Sequence, residues 1–185
     1  GGGGQPWRQA CVAALDGGTG WEGPGYGMDG CSGPNFATAV HGWARAMGWF
    51  ASAHTRSDRA SEGAAQLVAA MAKHPELVAG ETRACTNLMR AMGGRVAIKT
   101  GAEAVFVAIL PEQKLGVALK IADGTTRASE CAIAALMVSL GVLEADHPET
   151  RKYMNKTICN PPGPEFRAGP HATAPPVRSH PPPPR

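Results

Sequence analysis

The sequence contains no run of eighteen apolar residues, so nothing in it reads as a membrane-spanning helix. It contains no C-x-x-C pair among Cys11, Cys31, Cys85, Cys131 and Cys159. A zinc ribbon is thereby excluded, because its metal needs thiolates that one tight turn brings together. Five cysteines, widely spaced and odd in number, do not make the framework of a small disulfide-stapled domain. The expectation is a reducing, cytoplasmic setting in which each thiol packs as a small hydrophobe. The six histidines include no H-E-x-x-H motif and no paired spacing suited to a metal. Charge is scarce. Charged residues make up 18% of the chain, against roughly 25% in an ordinary soluble domain. The net charge of +3 is small and scattered, which argues against a nucleic-acid partner. Ser-x-x-K, a serine nucleophile beside its base, does not occur either. No initiator Met is present. The chain opens Gly1-Gly2-Gly3-Gly4, which reads as a fragment or a processed product.

What is present is a chain of 185 residues with 43% hydrophobic residues, enough for one domain with a core. Residues 1–6 read as a flexible tail, residues 7–160 as the domain. Residues 161–185 hold ten of the sixteen prolines. Proline fixes φ and lacks the N–H, so this tail is expected to be extended or disordered and to join no sheet or helix. An SH3- or WW-type ligand is its functional alternative. In the domain, Trp7–Leu15 reads as a short helix stopped by Asp16-Gly17-Gly18. A glycine-rich loop follows over residues 20–33, and Pro34 stands where a first helical residue would. Phe36, Val40, Trp43, Met47 and Phe50 then recur at helical spacing. Ser57 is the expected cap of a helix running to Lys73, and Thr82 of one carrying Cys85, Leu88, Met89 and Met92 inward. Arg95–Thr100, Ala104–Leu110 and the alternating run Leu115–Ile121 read as three antiparallel strands. An alanine-rich helix over 126–140 closes at Gly141. The expected class is α/β in the α+β sense, a layered arrangement with helices over an antiparallel sheet.

Three constellations carry chemistry. Lys99-Thr100-Gly101 ends one strand ahead of another, the context in which Lys-Thr-Gly lines serine-hydrolase sites. Lysine there supplies positive charge, threonine a hydroxyl, and glycine room. The bland alternative is an ordinary strand-end lysine. By strand alternation Lys99 shares a face with Ala97 and Arg95, away from Val96 and Ile98. It is expected to look into a cleft beside the loop Asp29-Gly30-Cys31-Ser32. That loop is the second constellation, with a carboxylate, a thiol and a hydroxyl, expected at a helix N-terminus where a thiol pKa falls. The bland alternative is a turn in which Asp29 satisfies backbone donors. Arg83 and Cys85 form the third. Their plain reading is a solvated cation and a core thiol.

The segments MDGCSGPNFA, HPELVAGETRACTNLMRAMGGRVAIKTGAEAVFVAILPE and LGVALKIADGTTRASE resemble consecutive signatures of the L-asparaginase II family, the Rhizobium-etli-type asparaginases. The resemblance covers about residues 7–160 and corresponds to the C-terminal part of such an enzyme. It implies a serine β-lactamase- and glutaminase-like fold, incomplete here. It implies an amidohydrolase that converts L-asparagine to aspartate and ammonia through an acyl-enzyme, with zinc as cofactor and homodimers among its members. By resemblance Cys31 matches a zinc-ligating thiolate. Asp29, Cys85, Thr100 and Gly101 lie beside the substrate, and Lys99 is the catalytic lysine of a Ser-Lys pair. The departures are the missing Ser-x-x-K, the missing Cys-Ser-Gly-Lys segment with its further zinc ligands, and the missing second serine. Gly33 replaces a branched residue, and Ala104 a glycine. The resemblance therefore implies an inactive chain when alone. A glutaminase or β-lactamase-like hydrolase, and a non-enzymatic fragment with an interaction-prone tail, are the rival readings.

Overall fold

A computed structural model describes residues 6–23, 25–155, 157–158 and 166–167. Its centre is an antiparallel sheet of β3 (Ala97–Thr100), β4 (Val105–Leu110) and β5 (Leu115–Lys120), in that order. Ala97 pairs with Ile109, Lys99 with Val107, and Ile109 with Gly116. Side chains alternate across a strand, so these residues share one face. Ile98, Phe106, Ala108 and Leu110 make the other, and all four are buried. The run AVFVAIL is apolar on both faces because both are covered.

Helices α2 (Val40–Ala51) and α3 (Arg59–Lys73) lie over the Lys99 face. Helices α5 (Ala84–Ala91) and α6 (Thr126–Ser139) cover the other, burying Cys85, Leu88, Met89, Ile133 and Met137. The expected α+β layering is therefore present. Helix α2 meets β5 at a glycine pair. A Cβ on Gly116 would stand 2.1 Å from the Gly48 nitrogen and 2.2 Å from the Ala44 carbonyl oxygen. Only a residue without a side chain lets helix and strand backbones approach so closely.

The joint between α2 and α3 is held by Arg56. Its Nε donates to Ser61 Oγ at 2.8 Å, Nη1 to Ser52 Oγ at 2.8 Å, and Nη2 to the Trp49 carbonyl at 2.9 Å. The guanidinium lies 4.8 Å from the Trp49 ring centroid, within cation–π range. Asp58, not Ser57, caps α3. Its Oδ1 accepts from Ser61 N–H at 2.9 Å. The Ser61 hydroxyl donates to Oδ2, and these bonds hold the Asp58 carboxyl below its ordinary range.

Four further boundaries depart from expectation. Helix α1 (Pro6–Thr19) runs through Gly17-Gly18 and ends only at Gly20, which takes φ +65°. Glycine weakens a helix without terminating it. Pro34 begins no helix. Pro34–Phe36 is strand β2, paired with β1 (Tyr26–Met28), and Phe36 meets Tyr26 edge to face at 6.0 Å. Thr82 does not cap α5. It has φ +65°, whereas a cap needs extended backbone; Arg83 supplies that, without a side-chain bond. Finally, the expectation that the proline-rich tail joins no sheet fails at one point. β6 (Thr157–Ile158) pairs with β7 (Phe166–Arg167), in a stretch between prolines where N–H groups remain. The rest of residues 161–185, like residues 1–5, lies outside the described residues. Short helices α4 (Pro75–Ala79) and α7 (Pro148–Met154) complete the order.

Candidate functional site

Lys99, Thr100 and Gly101 stand at the outer end of edge strand β3. On its outer side β3 has no partner strand among the described residues, so a backbone donor there needs another acceptor. The Thr100 N–H finds one in Cys85 Sγ, at 3.2 Å. Cys85 is fully buried on the inner face of α5. Burial pushes its thiol pKa up, against the Thr100 N–H and the Lys99 and Arg83 charges, which pull it down. It thus serves as a neutral anchor for the strand end. Gly101 N–H donates to the Val105 carbonyl at 2.8 Å. Thr100 Oγ1 lies 3.3 Å from both the Gly101 and Val105 carbonyls. A Cβ on Gly101 would stand 3.3 Å from Val105 Cβ, so the glycine keeps this corner narrow. The next turn is strained, since Glu103 and Ala104 take φ +53° and +56° in succession.

Lys99 is exposed. Its Nζ donates to the Thr100 carbonyl at 2.5 Å, and it makes no ion pair among the described residues. A cleft was expected on this face, and one is there, but the Asp29–Gly33 loop is not its wall. Ala97 beside it is fully buried, because α2 and α3 cover that face. The cleft beneath Lys99 is lined by Met47, Phe50, Leu67, Met71 and Val107. No residue of the Asp29–Gly33 loop reaches it. The sequence marks Met47 and Phe50 only as part of a helical stripe. Leu67 is 60% exposed, although it lies on the inner stripe of α3.

The Asp29–Gly33 loop caps the β1–β2 hairpin and is not at a helix N-terminus, since α2 begins only at Val40. Asp29 Oδ1 accepts from the N–H groups of Cys31 and Gly33, each at 2.9 Å. Its carboxylate closes the turn, the plainer of the two sequence readings. Cys31 is exposed at the tip. No hydrogen bond or ion pair among the described residues joins Asp29 or Cys31 to Cys85, Lys99 or Thr100. The five sequence-flagged substrate and catalytic residues therefore separate into a strand-end group, Cys85, Lys99, Thr100 and Gly101, and a lone Asp29.

The family model for L-asparaginase II matches residues 4–165. The chain belongs to the L-asparaginase II family. No curated protein matches it. At family level this asparaginase II chain is of the asparaginase type, an amidohydrolase. The zinc implied by resemblance needs three or four ligands in fixed geometry. Among the described residues no group of three His, Cys, Asp or Glu could hold a metal, and Asp29 Oδ1 is already engaged. The described residues do not by themselves fit a zinc site. Among the described residues no helix is long and apolar enough to cross a membrane.

Proposed function

We propose that this chain supplies the lysine-bearing strand end of an L-asparagine amidohydrolase and does not supply its nucleophile. The observation that supports the reading is the Cys85–Thr100 bond of 3.2 Å. It fixes the end of β3 while the Lys99 ammonium stays exposed. In the reaction a serine oxygen attacks the carbon of the side-chain amide. The C–N bond breaks, ammonia leaves with a proton, and water then releases aspartate from the acyl-enzyme. Lys99 stabilises the negative charge that develops on the former amide oxygen, or returns a proton to the leaving nitrogen. Thr100 Oγ1 is placed to turn its hydrogen toward substrate in exchange for a 3.3 Å carbonyl contact. Gly101 leaves the substrate space beside the strand, and Cys85 positions the strand without touching substrate.

The sequence holds no Ser-x-x-K, so the purified chain is expected to release no ammonia from L-asparagine above a matched blank. Joined to the Ser-x-x-K segment of another family member, it is expected to become active. In that enzyme Lys99→Met should cut turnover by about 10²–10⁴-fold with an unchanged thermal midpoint. Exposed Lys114→Met should leave turnover intact. Full activity in the Lys99→Met enzyme would overturn the assignment.

A further inference from the structure

Helix α7 (Pro148–Met154) is held by a cap that only a neutral histidine can provide. His147 stands at its N-cap, and its Nδ1 accepts from the Glu149 N–H at 3.1 Å. An imidazolium donates from both nitrogens and accepts at neither. Protonation therefore deletes this bond and sets a cation against the positive end of the helix. The 7 residues of α7 are too few for a helix to persist unaided, so it depends on its cap and its docking. Tyr153 is buried in the core, and its hydroxyl accepts from Asn87 Nδ2 at 2.9 Å. Thr150 is buried too, and its Oγ1 donates to the Glu144 carbonyl at 2.7 Å. Asn87 lies on α5, the helix that carries Cys85.

The surroundings give an imidazolium no compensation. His147 shares a surface cavity with Asn87, Arg90 and Ala91 of α5 and with Glu149 of its own helix. The charged groups that face it there are Arg90 and Glu149. Arg90 is a cation, held in place by Glu81 at 2.8 Å and Glu76 at 3.5 Å. Glu149 is taken by Lys152 at 3.3 Å. Arg151 and Lys152 add positive charge to α7, and Glu144 and Asp146 precede it. Helix α6, also packed on α7, carries Arg127 and Glu130, and neither lines the cavity. Among the described residues no carboxylate comes within ion-pair distance of His147. We infer that His147 is an acid-sensitive latch. Neutral, it caps α7 and keeps it docked on α5 and α6; protonated, it lets α7 open. Histidine is the side chain whose charge ordinarily changes between about pH 5 and 8, so acidification across that range releases the latch. The inference rests on the cap and its charged neighbours and needs no part of the hydrolase reading.

The test is native-state hydrogen exchange of the full 185-residue chain, labelled with ¹⁵N, at about pH 7.5 and about pH 5.5. Each rate is divided by the intrinsic rate at that pH, which leaves the protection of the site. The Tyr153 amide reports α7. The Leu140 amide, bonded to the Leu136 carbonyl at 2.9 Å, reports α6. Acidification should lower Tyr153 protection by roughly fivefold to tenfold, the worth of one cap, and leave Leu140 protection as it was. His147→Asp keeps an ionised acceptor at both pH values, since an ordinary aspartate titrates at about pH 4, and should hold Tyr153 protection at both. His147→Ala should show the low protection at both. His74 is the other histidine near Arg90, paired with Glu76 at 3.6 Å, and His74→Gln should leave the fall intact. Constant Tyr153 protection in the wild type overturns the inference. So does an equal fall in His147→Asp or His147→Ala, loss of the fall in His74→Gln, or a parallel fall at Leu140. The readout is local opening, so none of these outcomes bears on ammonia release.

Discussion

Glu103 and Ala104 are a paired test of what left-handed backbone costs. Neither is glycine, and both have positive φ. Each such residue carries about 1–2 kcal/mol of steric cost. Glu103 is exposed. Glu103→Gly removes the strain, gives back about 0.4–1 kcal/mol through the freer unfolded chain, and should stabilise by about 0.5–1 kcal/mol. Ala104 is buried. Ala104→Gly also forfeits a buried methyl, about 0.8 kcal/mol, and should be near neutral. Urea unfolding of the two variants checks the contrast. Cys85 gives a pH-dependent test. Its thiol pKa is raised above the ordinary 9.0, chiefly by burial. The protonated thiol is thus the folded form, and its contribution is complete below pH 9.0 and lost as pH rises through the folded value. Cys85→Ala should cost about 1–3 kcal/mol at neutral pH, because the Thr100 N–H loses its acceptor. The gap between wild type and variant should narrow above pH 9.0. A gap that widens there would mean the thiolate is the folded form.

At the scale of elements, the α2–β5 contact is the least forgiving joint. The atoms facing a Cβ on Gly116 are all backbone, of Gly48, Ala44 and Met47. No rotamer change relieves them, so Gly116→Ala must lift the helix off the strand and should cost about 1–3 kcal/mol. Gly17→Ala is the control. Its Cβ meets nothing within 4 Å, it lies inside α1, and it should stabilise by about 0.5–1 kcal/mol. Thermal melts that rank the two the other way would contradict the packing. Elements set by periodicity were legible in the sequence. β4, β5 and α6 fall where alternation and the alanine-rich run placed them. Elements set by competition were not. Pro34 suits a first helical turn, but it also suits a short strand once Asp29 closes the turn before it. Thr82 suits a cap by residue type, and its backbone forbids it.

For the whole molecule, the strand-end group was legible because its members lie close in sequence or on adjoining elements. Lys99-Thr100-Gly101 is contiguous, and Cys85 could be read as inward-facing on α5. Which elements wall the cleft at Lys99 was not legible. The face of Ala97 and Lys99 was read as looking into a cleft beside the Asp29 loop, whereas the docking of α2 and α3, fixed by Arg56 and by the Gly48–Gly116 approach, supplies the walls. The same docking leaves the sheet ending in β5. Among the described residues no strand pairs with the outer side of β5, whose first five residues, Leu115-Gly116-Val117-Ala118-Leu119, carry no charge and no proline. Helix α2 packs along β5, but the start of the strand at Leu115 is exposed, and an uncharged strand end left open is a template for another copy of itself. Refolding should therefore compete with aggregation. Light scattering after dilution from urea should rise steeply with chain concentration. Leu115→Lys, at a position 37% exposed, should suppress it by placing repelling charges wherever two such edges meet.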